Sequence, residues 1–133
     1  MSIGEFAKEI EKMEDRYLFK AKRADNGEWV TGYYTKSIVN DSVFGYIRES
    51  IFGTDIKIML NTLCQYTGLK DKNGNLIWEN DIMKYQLDGK TRIYVVKYEP
   101  HMFSYKNVIR WSLYQDEVIG NIFDNPELLE SEE

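Results

Sequence analysis

The segment CQYTGLKDKNGNLIWENDI (64–82) constrains this chain more than any other. It interleaves short apolar and aromatic runs with clusters of Asp, Asn and Gly, so it cannot sustain a long helix. Asp71-Lys72-Asn73-Gly74 reads as a turn between strands at 62–69 and 76–78. Asp and Asn side chains bond the local backbone, and Gly takes a positive φ without steric cost. Glu79-Asn80-Asp81 reads as a second tight bend, launching a strand at 82–87. A block of the same character, EVIGNIFDNPELL (117–129), lies near the C-terminus. Neither block has the spacing of a known catalytic motif, and their residue types are those that build a scaffold.

The same grammar runs through most of the chain. Runs at 17–23 and 28–34 flank Ala24-Asp25-Asn26-Gly27, which predicts a β-hairpin. Asp88-Gly89 predicts another, joining 82–87 to 91–98, and further strand-like runs occupy 55–60, 103–106, 108–114 and 118–122. Residues 35–54 are the least regular: turn clusters at 40–42 and 53–55 bracket an apolar run at 43–52, and the stretch reads as an extended insertion loop. Short strands at spacings near ten, separated by polar turns, argue for a mainly β domain. Two forms fit: a small SH3-like barrel over about 60–122, or a multi-sheet β domain. Two helices complete the prediction. Residues 1–15 hold an amphipathic helix with Ser2 as its cap and Ile3, Phe6, Ile10 and Met13 on one face. A shorter helix starts at Asn125-Pro126-Glu127, with a cap, a proline at the first position and acid in the first turn. The β domain itself is expected over 16–130.

Composition bounds the function. A chain of 133 residues with 43% hydrophobic and 14% aromatic residues buries a core without disulfide or metal. Ten tyrosines suit half-buried strands. The net charge of −5 argues against a protein that binds through phosphate neutralisation over its whole surface, though not against a local basic patch. One cysteine, Cys64, rules out an internal disulfide and fits a reducing cytosol. No apolar run approaches the ~18 residues that span a bilayer.

Candidate chemistry is sparse. Asp71, Glu79 and Asp81 are carboxylates close in sequence, but each sits in a turn where a backbone-bonding role is expected. One histidine, His101, and one cysteine cannot assemble a zinc site within the chain. A Cys64–His101 dyad is arithmetically available, yet no nucleophile motif surrounds Cys64, and a free cysteine is usually buried. No glycine-rich phosphate loop is present. Aromatic and basic residues interleave at Tyr85, Arg92, Tyr94 and Arg110, the pattern by which small β domains stack and neutralise single strands.

Both motif blocks resemble the YopX family of phage- and prophage-encoded proteins. The resemblance rests on Gln65 through Gly74, on Ile77, Trp78, Glu79, Asp81 and Ile82, and on Val118 through Leu128. A weaker match lies in YLFKAKRADNGEWVTGYY (17–34), with its W-x-x-G element. Asn80 stands where the family usually has glycine, and residues 1–15 are missing from many members. The resemblance implies a mainly β fold and a setting in the bacterial host cytoplasm. The expectation is a non-enzymatic accessory module without cofactor. It binds a host or phage protein, or itself, with Ile3, Phe6, Ile10 and Met13 as one candidate surface. Nucleic-acid binding through Tyr85, Arg92, Tyr94 and Arg110 is the alternative.

Overall fold

The computed structural model describes residues 2–5, 17–50, 52–99, 104–106 and 116–130. The chain divides into two compact units, Met1–Tyr66 and Thr67–Glu133. The fold is mainly β, as expected.

The first unit is an antiparallel sheet. Strands β1 (Phe19–Lys22), β2 (Trp29–Val39), β3 (Ser42–Arg48) and β4 (Ile56–Ile58) lie in the order β4-β3-β2-β1, with β5 (Cys64–Lys70) entering beside β1. The predicted hairpin at 17–34 is β1 and β2, with Ala21 opposite Val30. Its loop closes through a bond from the Gly27 N–H to the Arg23 carbonyl at 3.0 Å. The stretch 35–54 is not an insertion loop: most of it belongs to a second, longer hairpin, β2–β3. Asn40 and Asp41 both have positive φ, 50° and 67°, which is the geometry of a tight two-residue turn. The sequence hides this hairpin because its far end passes beyond the core. Ile38, Val39 and Val43 there are exposed, so burial imposes no alternation of apolar and polar residues.

Register places Ala21, Val30, Tyr34, Ile47, Ile56 and Ile58 on one side of this sheet, where they form its core. The end of β4 returns to the end of β1: the Met59 N–H donates to the Lys22 carbonyl at 2.8 Å and the Ala24 N–H to the Lys57 carbonyl at 2.9 Å. A 3-10 turn, Leu60–Thr62, follows. Thr62, buried, accepts the Lys22 N–H on its Oγ1 at 2.8 Å and donates to the Met59 carbonyl at 2.6 Å.

In the second unit the later part of β5 pairs with β6 (Leu76–Trp78) across the predicted 71–74 turn. Gly74 there has a φ of 83°. Strands β7 (Asp81–Leu87), β8 (Lys90–Val95) and β11 (Glu117–Asn121) form a sheet in the order β11-β7-β8, and β9 (Lys97–Glu99) pairs with β10 (Ser104–Lys106). Ile77, Met83 and Val96 are its core, flanked by Leu69, Tyr94 and Val118. The expected strand at 91–98 breaks at Val96. Its N–H donates to the Asp81 carbonyl, and its own carbonyl accepts the Asn80 N–H, both at 2.9 Å. Among the described residues every sheet has an open strand order, so the multi-sheet form holds and no SH3-like barrel closes.

Residues 3–5 are helical, and Ser2 caps them by accepting the Glu5 N–H at 3.1 Å. The C-terminal helix, Glu127–Glu130, starts directly after Pro126. Asn125 stands at its start, and the Asn125 carbonyl accepts the Leu128 N–H at 3.1 Å. The Asn125 Oδ1 turns back to accept the Asn121 N–H at 3.2 Å.

Candidate functional site

Of the eight residues singled out from sequence, four are described: Ile3, Tyr85, Arg92 and Tyr94. Phe6, Ile10, Met13 and Arg110, like His101, lie outside the described residues. Ile3 is exposed. Tyr85 faces Arg92, and Tyr94 faces Met83, all on one side of the β7–β8 hairpin. The Tyr85 and Tyr94 rings meet edge to face at 5.7 Å. Tyr94 is partly buried, and its hydroxyl donates to Asp116 Oδ2 at 2.6 Å. Burial, and then that bond, raise its pKa well above the ordinary tyrosine range. Tyr94 is thus tied inward rather than presented for stacking.

The motif carboxylates hold the backbone. Asp71, nearly buried, accepts the Asn73 and Asn75 N–H groups on Oδ1 at 2.9 and 2.8 Å. Its Oδ2 takes the Asn75 side-chain amide at 3.2 Å and the Val118 N–H at 2.9 Å. Burial pushes its pKa up, but these bonds outweigh burial and leave it lowered. Asp81, also buried, accepts the Trp78 N–H at 2.8 Å. In the C-terminal block, Asn121 Oδ1 accepts the Phe123 and Asp124 N–H groups at 3.0 and 2.9 Å. Glu117 lies between Lys84 at 3.1 Å and Lys72 at 3.9 Å, and its bond to Lys84 leads the lowering of its pKa. Cys64 is buried, with its thiol against the Thr62 carbonyl at 3.3 Å. Among the described residues no group of three or more His, Cys, Asp or Glu side chains is placed to hold a metal ion. No helix among them is long and apolar enough to cross a membrane.

A different surface gathers chemistry. Strands β1 to β4 contain Lys20, Lys22, Lys36, Arg48 and Lys57 and not one Asp or Glu. The side of this sheet opposite the core carries Lys20 and Lys22 on β1, Trp29, Thr31, Tyr33 and Thr35 on β2, Phe44, Tyr46 and Arg48 on β3, and Lys57 on β4. Cations lie over rings. Lys20 and Lys22 place Nζ 4.6 and 5.5 Å from the Trp29 centroid, and Lys57 places Nζ 4.8 Å from that of Phe44. Among the described residues Asp25, Glu28, Asp41, Glu49 and Asp55 sit in the connections of this sheet; Asp25 is paired with Arg23 at 2.9 Å and Asp55 with Arg48 at 3.0 Å. Arg23, Asp25, Asp55 and Lys57 also line a shallow open cleft of about 400 Å³ at one edge. The signal for this face was present in the sequence: 25 strand residues without an acid in a chain of net charge −5. Reading it required the register of the β2–β3 hairpin.

The YopX protein family matches residues 5–130, nearly the whole chain. This chain belongs to the YopX family. The match confirms the resemblance carried by the 64–82 and 117–129 blocks, whose Asp71, Asp81 and Asn121 are the turn-holding residues just described. Among solved structures it is similar to protein EF1440 from Enterococcus faecalis, at 26% identity and a TM-score of 0.52, over 84% of this chain and 96% of that one. No curated protein matches it.

Proposed function

We propose that this YopX-family protein is a non-catalytic module that binds a macromolecule in the cytoplasm of a bacterial host. The observation that supports this reading most is the acid-free sheet face of β1 to β4, on which cations and aromatic rings share one surface. The carboxylates that a hydrolytic or acid–base role would use, Asp71 and Asp81, are instead hydrogen-bonded to backbone N–H groups in the turns that define the family motif. A cation–aromatic surface whose flanking acids, Asp25 and Asp55, are paired with Arg23 and Arg48 recognises rather than transforms.

The test is retention from host lysate by the tagged full-length protein, scored with and without nuclease. The expected result is a macromolecule held by the native chain and released by Lys57→Glu, with an unchanged melting temperature. A native chain that retains nothing above the tag alone would overturn the reading.

Self-association is a second reading, supported by the exposed Ile38 and Val43, which face each other near the end of the β2–β3 hairpin. Solution mass of the native chain and of Ile38→Ser checks it. A monomer in both would remove it.

A further inference from the structure

We propose that the β1–β4 face bearing Trp29, Phe44, Tyr46, Lys20, Lys22 and Lys57 binds single-stranded nucleic acid. The inference rests on the binding-module reading above and names its ligand class.

Three properties of the face select this ligand. First, its charge is of one sign along the strands, although the molecule as a whole is acidic. Local potential rather than net charge steers a polyanion to a surface. Second, the rings sit on adjacent strands with cations beside them. Phe44 and Tyr46 are two residues apart on β3, about 7 Å along the strand. Lys57 lies directly opposite Tyr46 and over Phe44. Stacking on such rings tolerates any base, because every base has a π-face, while the neighbouring ammonium groups reach the phosphates between bases. Third, hydroxyls fill much of the rest of the face: Thr31, Tyr33, Thr35 and Ser37. Lysine is depleted at the buried centres of protein–protein interfaces, so a lysine-rich, hydroxyl-rich face is poorly suited to a protein partner. A sheet face also reaches base planes only where they are unpaired, which favours a single strand over a duplex.

The experiment is fluorescence polarisation of the full-length protein with a labelled oligothymidylate of about 15 nucleotides, long enough for one such fold. A duplex of the same length and inorganic polyphosphate serve as competitors. The single strand is expected to bind with a salt-dependent constant and to be displaced poorly by duplex and by polyphosphate. Phe44→Ala is expected to weaken binding by roughly ten-fold. Lys57→Gln is expected to reduce the slope of log K against log salt by about 0.7. Both side chains lie away from the core of this sheet, so melting temperatures are expected to stay near native, and the second variant decides the matter if the first alters the fold. Absence of single-strand binding at low salt would overturn the inference. So would equal displacement by polyphosphate together with native affinity for Phe44→Ala. If oligothymidylate fails to bind while Lys57→Glu still releases a nuclease-resistant protein partner from lysate, this inference falls and the binding-module reading stands. If neither is seen, both fall.

Discussion

The carboxylate of Asp71 carries more of the family motif than any other single group. It fastens the 71–75 turn to itself and, through Val118, to a strand 47 residues further on. Asp71→Ala strands those donors and is expected to cost about 2–4 kcal/mol, since hydrogen bonds to a charged acceptor exceed neutral ones. Chemical denaturation of the two proteins checks this. The pH dependence has a definite sign. The folded pKa is lowered, so the contribution of Asp71 is fully present above the unfolded value of about 3.9 and is lost as pH falls through the folded one. Asp71→Asn is expected to flatten the acid limb of melting temperature against pH; an unchanged limb would assign that limb to Glu117. Tyr94 works at the other end of the scale. Its folded pKa is raised, so its contribution persists below about pH 10 and fades as pH rises toward the folded value. Tyr94→Phe removes a bond to a buried carboxylate and is expected to cost about 2 kcal/mol at neutral pH, measured by thermal unfolding. The turn role of Asp71 was legible because it depends on neighbours in sequence. Its hold on Val118 was not, because no local pattern encodes a partner so distant.

At the level of elements, turns were legible and strand continuity was not. The loop at 24–27, the turn at 71–74 and the Asp88-Gly89 hairpin all stand where Asp, Asn and Gly cluster. Gly74 at φ 83° requires the left-handed region. Gly74→Val is expected to lower stability by about 1–2 kcal/mol. A Cβ there would touch nothing within 4 Å, so the loss reports conformation alone, and a native melting temperature would refute the turn. Gly32, the glycine of the W-x-x-G element, obeys a different constraint. A Cβ at that position would collide with the Arg48 backbone carbonyl, and a backbone atom cannot swing aside as a side chain can. Gly32→Ala is therefore expected to be more damaging than Gly74→Ala, as compared by urea unfolding, because it separates β2 from the end of β3. The β2–β3 hairpin escaped sequence reading because its outer half is exposed on both faces. The break at Val96 escaped because Val96, though apolar and buried, gives its backbone bonds to Asn80 and Asp81, the bend at the very start of β7.

For the molecule as a whole, the two compact units distribute their acids differently. In the first, the strands β1 to β4 carry cations and no carboxylate; in the second, buried acids are structural members. Whole-chain charge therefore misdescribes the surface that the binding proposal uses, which is why an acidic composition alone pointed away from nucleic acid. The mainly β class and the family were legible because both depend on motif blocks. The cationic face was not, because it is assembled from four strands whose pairing needs three dimensions. The distant bond from Asp71 to Val118 also has a consequence for biosynthesis. A ribosome has finished every strand of the first unit up to Tyr66 while β7 still awaits β11. Until residues 117–121 emerge, one edge of β7 is bare, and a bare edge is a template for pairing with another chain. A chain halted at residue 115 is expected to be protease-sensitive beyond Tyr66 and prone to aggregate. During translation the nascent second unit is thus the stretch on which a chaperone would act.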